Sequence, residues 1–550
     1  MSLHPQPVSP VPSETVRVAR AAFPKGNIYM QVRDELGTIY QDVEFASLFS
    51  NLGKPAEPPW RLALVTIMQY AEGLSDRQAA DAVRSRIDWK YALGLELTDP
   101  GFDSTVLCEF RARLVKGYVE QLILDELLKL CKERKWLKAR GRQRTDSTHV
   151  LASIRALNRL QCVQETMRAA LNSLAVIAPQ WLREHSHPEW VDTYGPRADD
   201  YRLPPGKEIR LSQALKVGTD GHALMSAIFA EDAPAWLRQV PAVEILRQVW
   251  VQQYYIQDDT ITWRTEEEGI PRSRHFISSP YDIDAHFARK RTTQWVGYKV
   301  HLTETCEEDQ PHLITHVETT SAPIADGDMT PDIHQALSGK DLLPNLHLVD
   351  TGYLDAKLLA SAKQEYNIDL FGPTRPDYKW QARAGKGFDA SKFDIDWERK
   401  VAKCPEGRTS ISWTPAVDKY ANEVIKIKFS TRDCRSCPSR VNCTMATRRT
   451  VTVRCQDHHM ALLAARERER SEDYASEYAK RAGIEGTISQ GVRSMELRRA
   501  RYVGLAKTRL EHIFIGAAIN MVRIGNWLMG VPLAKTRQSS FVRLMQPTFG

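Results

Sequence analysis

The sequence predicts a mixed α/β protein preceded by an all-helical N-terminal domain. Three observations predict it: apolar residues recur at helical spacing between Trp60 and Lys135, the period drops toward two between Trp295 and Thr320, and helical patterning rich in Ala, Glu and Arg runs from His458 to Ile524. At 550 residues the chain exceeds the size at which one core usually splits, so several domains are expected.

Residues 1 to 14 carry Pro5, Pro7, Pro10 and Pro12 and read as an extended tail. A first helix runs through Leu62, Val65 and Met68 to Gly73, a plausible C-cap, and Ser75 can cap a second through Ala80 and Val83. A third follows Asp103-Ser104, and a fourth covers Val119 to Lys135. The short turn Glu72-Gly73-Leu74-Ser75 permits a helix-turn-helix that reads a major groove, and ordinary helix packing explains it equally well.

Helical patterning resumes from Ile154 to about Leu182 and from Glu208 to about Gln257, on either side of a Gly/Pro-rich loop from Gly195 to Gly206. Val296, Tyr298, Val300 and Leu302 share one strand face, and Leu313, Thr315 and Val317 fit a second strand, so a hairpin is expected. A short helix is expected at Ile333 to Leu337. Leu346, Leu348 and Val349 then read as a buried strand that stops at Asp350-Thr351-Gly352. Gly372 to Lys392 marks a boundary, and a small strand-rich segment with Val424, Ile427, Val451 and Val453 follows.

Hydrophobic residues make up 42% and charged residues 26%, which excludes global disorder. No stretch reaches the ~18 apolar residues needed to span a bilayer and no secretion signal opens the chain, so a cytoplasmic location is the default. The net charge of +7 leans only weakly toward a polyanionic partner, but its distribution says more. Eight Lys or Arg face one acid from Lys129 to Arg144, and seven face two acids from Arg481 to Arg509. Each run flanks an acid of interest, although any such run alone also fits a solvated helix face.

Those acids are Asp146, in Arg144-Thr145-Asp146-Ser147-Thr148-His149-Val150; Asp350, in Leu348-Val349-Asp350-Thr351-Gly352-Tyr353; and Glu485, in Tyr478-Ala479-Lys480-Arg481-Ala482-Gly483-Ile484-Glu485. Two-metal phosphoryl transfer needs several carboxylates converging on hard ions about 3.5–4 Å apart, and strand ends of an α/β sheet present such ligands to a crevice. A lone Asp is more often a turn former, and Arg481 with Glu485 alone would be a routine i,i+4 pair. Asp282, Asp284, Asp326 and Asp328 read as loop acids, with a supporting role beside the site as the other reading.

The order Asp, Asp, Tyr-x2-Arg-x3-Glu, followed by Arg498-Arg499-Ala500-Arg501-Tyr502-Val503-Gly504-Leu505-Ala506-Lys507, resembles the DDE transposases of bacterial insertion sequences. The closer likeness is to the group with an N-terminal helical domain, an RNase H-like catalytic domain and a cysteine-bearing insertion before the Glu. The likeness runs from about Phe23 to Trp527. It implies Asp146, Asp350 and Glu485 as catalytic carboxylates holding Mg²⁺ or Mn²⁺, with Asp146 on the first sheet strand, Asp350 on the fourth and Glu485 on a helix. It implies DNA contacts from Tyr478, Arg481, Arg493, Arg498, Arg499, Arg501 and Lys507. The Lys that usually stands seven residues past the Glu is Val492 here, and Arg493 is next.

The boundaries that result are a flexible tail at 1–24, a helical domain at 25–140, an RNase H-like first part at 141–372 with a helical insertion at 154–260, a cysteine-bearing β insertion at 373–456, a helical second part at 457–530 and a C-terminal tail at 531–550. The implied activity is cleavage at element ends and strand transfer into target DNA. Its partners are terminal inverted repeats, target DNA and a second copy of the chain. An RNase H-class nuclease that never joins ends, and a non-catalytic DNA-binding derivative, remain the rival readings.

Nine cysteines is an odd number and argues against a disulfide framework. Cys404, Cys434, Cys437 and Cys443 give C-x29-C-x2-C-x5-C, in which the C-x2-C pair is a usual zinc half-site. A structural Zn²⁺ site and reduced cysteines that pack a small β module both fit, with Cys455, His458 and His459 as substitute ligands.

Overall fold

The computed structural model describes residues 1–197, 205–532 and 540–545; most of the C-terminal tail expected at 531–550 and the middle of the Gly195–Gly206 loop lie outside them. The N-terminal region is helical. Asn27 caps α1 (Ile28–Leu36), and proline at the first position opens α2 (Pro59–Ala71). Gly73, at φ +67°, turns the chain, and Ser75 and Gln78 exchange capping hydrogen bonds at the start of α3 (Asp76–Ser85). A short helix, Ile87–Leu93, and the helices α4 (Thr105–Gly117) and α5 (Leu122–Glu133) follow.

Eleven of the thirteen residues of α2 are buried, so this helix is a core spine rather than a surface element. The expectation of a tail at 1–24 is overturned. Ser2 exchanges backbone hydrogen bonds with Lys54 and Ala56, both at 2.8 Å, residues Ser13–Ala22 are helical, and Thr15 donates to the Leu95 carbonyl at 2.7 Å. The prolines keep only the first dozen residues out of helix; Val16 and Ala19 just beyond them have apolar partners.

The central sheet has six strands: β1 (Arg142–Leu151), β2 (His286–Lys290), β3 (Thr293–Thr305), β4 (Ile314–Ser321), β5 (Leu346–Leu348) and β6 (Asp369–Phe371). Spatially β3 is followed by β1, β5 and β6, while β2 and β4 both pair with β3. The β1–β3, β2–β3 and β3–β4 pairs are antiparallel; β1–β5 and β5–β6 are parallel. The hairpin expected from the period-two pattern is β3–β4. Gly297 lies so close to β1 that a Cβ there would meet the Val150 carbonyl oxygen at 2.2 Å, which only glycine allows.

Between β1 and β2 the helices Arg159–Ile177, Lys207–Ile228 and Pro241–Gln253 enclose their own apolar core with Trp190, Tyr194 and Trp250. Between β6 and the last helices, β7 (Ser412–Val417), β8 (Glu423–Lys428) and β9 (Thr450–Arg454) form a separate antiparallel sheet. The helices α6 (Gly483–Ser494) and α7 (Leu505–Leu528) follow, with a short helix, Ser540–Met545, beyond them. Among the described residues no helix is long and apolar enough to cross a membrane.

Helix α7 joins sheet to helical domain. Asn520 accepts from the Ile314 amide at 2.7 Å and donates to its carbonyl at 2.8 Å, and Phe514 stacks on Tyr70 of α2 with ring centroids 5.9 Å apart. Asp282 and Asp284 hold the start of α7: Asp282 accepts from Tyr298 Oη at 2.6 Å and the Gly504 amide at 3.2 Å, and Asp284 accepts from the Leu505 amide at 3.2 Å. Carboxylates suit the positive end of a helix.

Glu511 of α7 is 1% exposed, with the Arg501 amide donating to its carboxylate. Burial pushes this carboxyl up to about 7, against the Arg501 amide and charge, with Glu496 adding to the rise. A folded-state value above the unfolded one means that the protonated form favours folding. That contribution is complete below about 4.5 and lost as pH rises through about 7. Glu511→Gln is therefore expected to match the parent protein in thermal melts at pH 5. By pH 8 it should be more stable by up to a few kcal/mol, at 1.36 kcal/mol per unit of pKa difference. Identical pH profiles for the two proteins would refute this.

Candidate active site

Asp146 lies in the middle of β1, opposite Leu302 of β3, and not at a strand end as its sequence context suggests. The strand continues to Leu151 because its far half pairs with β3, while β5 stops early. The parallel register sets Arg144 beside Leu348, so two residues further on Asp146 comes level with Asp350, just past the end of β5. Neighbouring strands are about 4.8 Å apart, so the two acids face one crevice. Asp350 accepts the Gly352 amide at 2.7 Å and starts a short 3₁₀ turn, Thr351–Tyr353. The Asp is thus both turn former and site acid.

Tyr478, Arg481 and Glu485 approach from the other side on consecutive helical turns, Tyr474–Ala479, Lys480–Ala482 and α6. The Arg481 guanidinium bridges two of the acids, 2.6 Å from Asp146 and 3.0 Å from Glu485. Burial works to lower it, and the charges of Asp146, Tyr478, Asp350 and Glu485 overcome this. Two of the three sequence-predicted acids therefore share one guanidinium, and the third, Asp350, stands level with Asp146 just past the end of the neighbouring strand. Asp146 and Arg481 are each 13% exposed, whereas Glu485 is 65% exposed and forms the open rim. Burial raises the Asp146 carboxyl; Arg481 and the Ser147 amide pull it down, and the nearby Asp350 charge adds to the rise.

A fourth acid shares the crevice. Asp326 follows β4 on a 3₁₀ turn, accepts Ser147 Oγ at 3.2 Å and Lys299 Nζ at 2.9 Å, and lies near Lys290. A Cβ on Gly352 would be 2.9 Å from Asp350 and 3.3 Å from Asp326, which brackets the pair. Burial raises the Asp326 carboxyl, and the charges of Lys299, His301 and Lys290 outweigh it, so it is held below the usual range. The plain loop-acid reading of Asp326 is therefore corrected. Lys299 on the facing strand is the signal that could have found it, but only with the strand register in hand. Below the crevice, Tyr353 Oη meets His301 Nδ1 at 2.6 Å, and burial pushes His301 down to about 4.

The helix carrying Glu485 is pinned from beneath by Glu304. This fully buried carboxylate on β3 pairs with Arg144 of β1 and Arg523 of α7, both at 2.7 Å, and accepts Thr487 Oγ1 of α6 at 2.6 Å. Burial alone would raise its carboxyl, but Arg523, Arg144 and Thr487 bring it below the usual value. Gly483 lets Arg144 pass under the helix start, since a Cβ there would sit 2.1 Å from the guanidinium.

The remaining basic residues divide. Arg493, Arg499 and Lys507 are exposed, and Arg498 is half-buried, donating to Thr148 at 2.8 Å. Arg501 is used inside the fold: it donates to the Leu74 carbonyl at 2.9 Å and lies over the Tyr70 ring at 4.9 Å. Tyr478 stacks on Tyr474, which stacks on Phe371 of β6. Cys404, Cys434, Cys437 and Cys443 line one small cavity far along the chain from the acids. Among the described residues no three His, Cys, Asp or Glu side chains are gathered closely enough to hold a metal ion as they stand.

The acid crevice thus lies on a mixed sheet, with Arg481 between two of its acids. Residues 17–113 match the family model described as Transposase domain (DUF772), and residues 403–525 match that described as Transposase DDE domain. Two separate segments of the chain thus match transposase domains, a pairing consistent with a DDE transposase of an insertion sequence. The second match includes Tyr478, Arg481 and Glu485; Asp146 and Asp350 lie outside both. No curated protein and no solved structure matches the chain.

Proposed function

We propose that this chain is a DNA transposase with an RNase H-like core, cleaving DNA at element ends and joining the freed 3′-hydroxyl to target DNA. The single observation that carries the reading is that Arg481 bridges Asp146 and Glu485 while the parallel register brings Asp350 level with Asp146. The RNase H-like assignment is supported by strand order: an antiparallel meander, β1–β3–β4, continued on its other side by two parallel strands, β5 and β6.

The donor set fits Mg²⁺ or Mn²⁺. Asp146, Asp350 and Glu485 offer only hard oxygens, the ligand type such ions take. Such ions polarise the reacting phosphate and activate the attacking and leaving oxygens. The chain's own groups do the positioning. Asp326 and the Ser147 amide hold the Asp146 segment, Glu304 fixes the helix of Glu485, and Arg481 keeps the carboxylates in register. Arg493, Arg498, Arg499 and Lys507 supply cations for the phosphate backbone, and Tyr478 for the strand beside the crevice, whereas Arg501 serves the fold. Bringing two ends together calls for two copies of the chain.

The deciding assay offers the protein a labelled duplex of the inverted repeat that flanks its gene, ending in a 3′-hydroxyl, together with plasmid and Mg²⁺. Covalent joining of label to plasmid is expected. Hydrolysis without joining would assign a nuclease, and tight binding with neither reaction would assign a non-catalytic derivative.

A further inference from the structure

The geometry points to a structural zinc site formed by Cys404, Cys434, Cys437 and Cys443 in the β7–β9 module, a role apart from the acid crevice. The four side chains come from three separate segments and line one cavity of about 30 Å³, space for a single water-sized occupant. Cys404 ends a short strand and begins the tight loop Cys404-Pro405-Glu406-Gly407-Arg408, with Gly407 at φ +75°. This loop folds back so that the Arg408 amide donates to Cys404 Sγ at 3.4 Å. Across the cavity the Arg449 amide donates to Cys434 Sγ, also at 3.4 Å. Two loops thus aim backbone N–H groups at sulfur from opposite sides of the cavity. Cys437 precedes the short helix Arg440–Cys443 and Cys443 ends it, and the Cys443 carbonyl accepts from the Arg449 guanidinium at 3.0 Å.

Energetics point the same way. Only six buried apolar side chains, Phe393, Ala402, Ile427, Phe429, Val451 and Val453, form the core under this module, and three of the four cysteines pack against it. So small a core needs a further tie. None of the four cysteines is in a disulfide. Four soft sulfur ligands in a C-x2-C-bearing set select Zn²⁺ over the hard ions suited to the acid crevice. The four sulfurs stand too far apart to share one ion without movement, so binding requires the side chains to rotate inward. Each ligating S–H loses its proton to solvent as its Zn–S bond forms, with no change in oxidation state.

The full-length protein, purified without added metal or chelator, is expected to contain about one zinc per chain, released by a thiol-blocking mercurial and seen with a zinc dye. Replacement by Co²⁺ should give the sulfur-to-cobalt charge-transfer band and the visible bands of a tetrahedral thiolate site. Cys437→Ser should reduce bound metal at least about tenfold, while Cys455→Ser, outside the cavity, should leave it unchanged. If Cys437→Ser fails to fold, the cobalt spectrum of the parent protein decides. Zinc below about a tenth of an equivalent after resupply, a cobalt spectrum without thiolate bands, or equal metal in both variants would overturn the proposal. None of these readouts depends on DNA cleavage.

Discussion

Asp146→Asn and Asp350→Asn are each expected to lower cleavage of an inverted-repeat duplex by about 10³-fold or more. Charge stabilisation of several kcal/mol rests on these carboxylates in the proposed reaction, and each 1.4 kcal/mol is a factor of ten. The asparagine keeps the size of the side chain and can still accept the Ser147 or Gly352 amide, so Asp350→Asn should change the melting temperature little, while Asp146→Asn also gives up the ion pair with Arg481 and should lower it. Gel quantification of the cleaved strand measures the effect, with the exposed Glu244→Gln in the helical insertion as a control. Retention of more than a tenth of parental activity in either asparagine variant would remove that acid from the proposed machinery. Glu485→Gln tests the third acid in the same way, and its greater exposure makes it the least costly of the three to the fold.

Glu304→Ala is expected to be the most damaging change to stability. It leaves Arg144 and Arg523 buried without their carboxylate and removes the acceptor of Thr487, the residue that ties α6 to the sheet. Breaking one member of a buried ion network costs about 3–5 kcal/mol. Denaturant titration should show the midpoint falling, read as a shift between variants because a chain of several domains need not unfold in one step. Glu304→Gln, which keeps a hydrogen-bonding oxygen, should fall between. A variant as stable as the parent would show that the two arginines find other partners and that α6 is held by its apolar face alone.

The same cluster shows why the site was only partly readable from the chain. Asp146, Asp350 and Glu485 each carried a local context: β-prone residues, a short apolar run, and a Tyr-x2-Arg-x3-Glu spacing that survives as helical turns. Asp326 and Glu304 carried none. Their importance comes from Lys299 on a facing strand and from Arg144, Arg523 and Thr487, which arrive from distant parts of the chain. Arg501 misled for the converse reason. In sequence it is one basic residue in a basic run, while in space it is bonded to the α2–α3 turn.

Local chemistry by itself determined the four helices read between Trp60 and Lys135, the β3–β4 hairpin, the turn at Asp350 and the presence of a cysteine-bearing module, because capping, alternation and ligand spacing act within a few residues, whereas the helices Ser13–Ala22, Ile28–Leu36 and Ile87–Leu93 were not read. Only the tertiary structure decided that Asp146 sits mid-strand and that α2 is a buried spine. It also decided that the first residues of the chain are pinned to the helical domain, and that a carboxylate and two arginines meet beneath the helix of Glu485. The physical reason is that strand register and helix docking are set by which apolar faces and buried charges find partners across the whole chain. No short window of sequence contains both halves of such a contact.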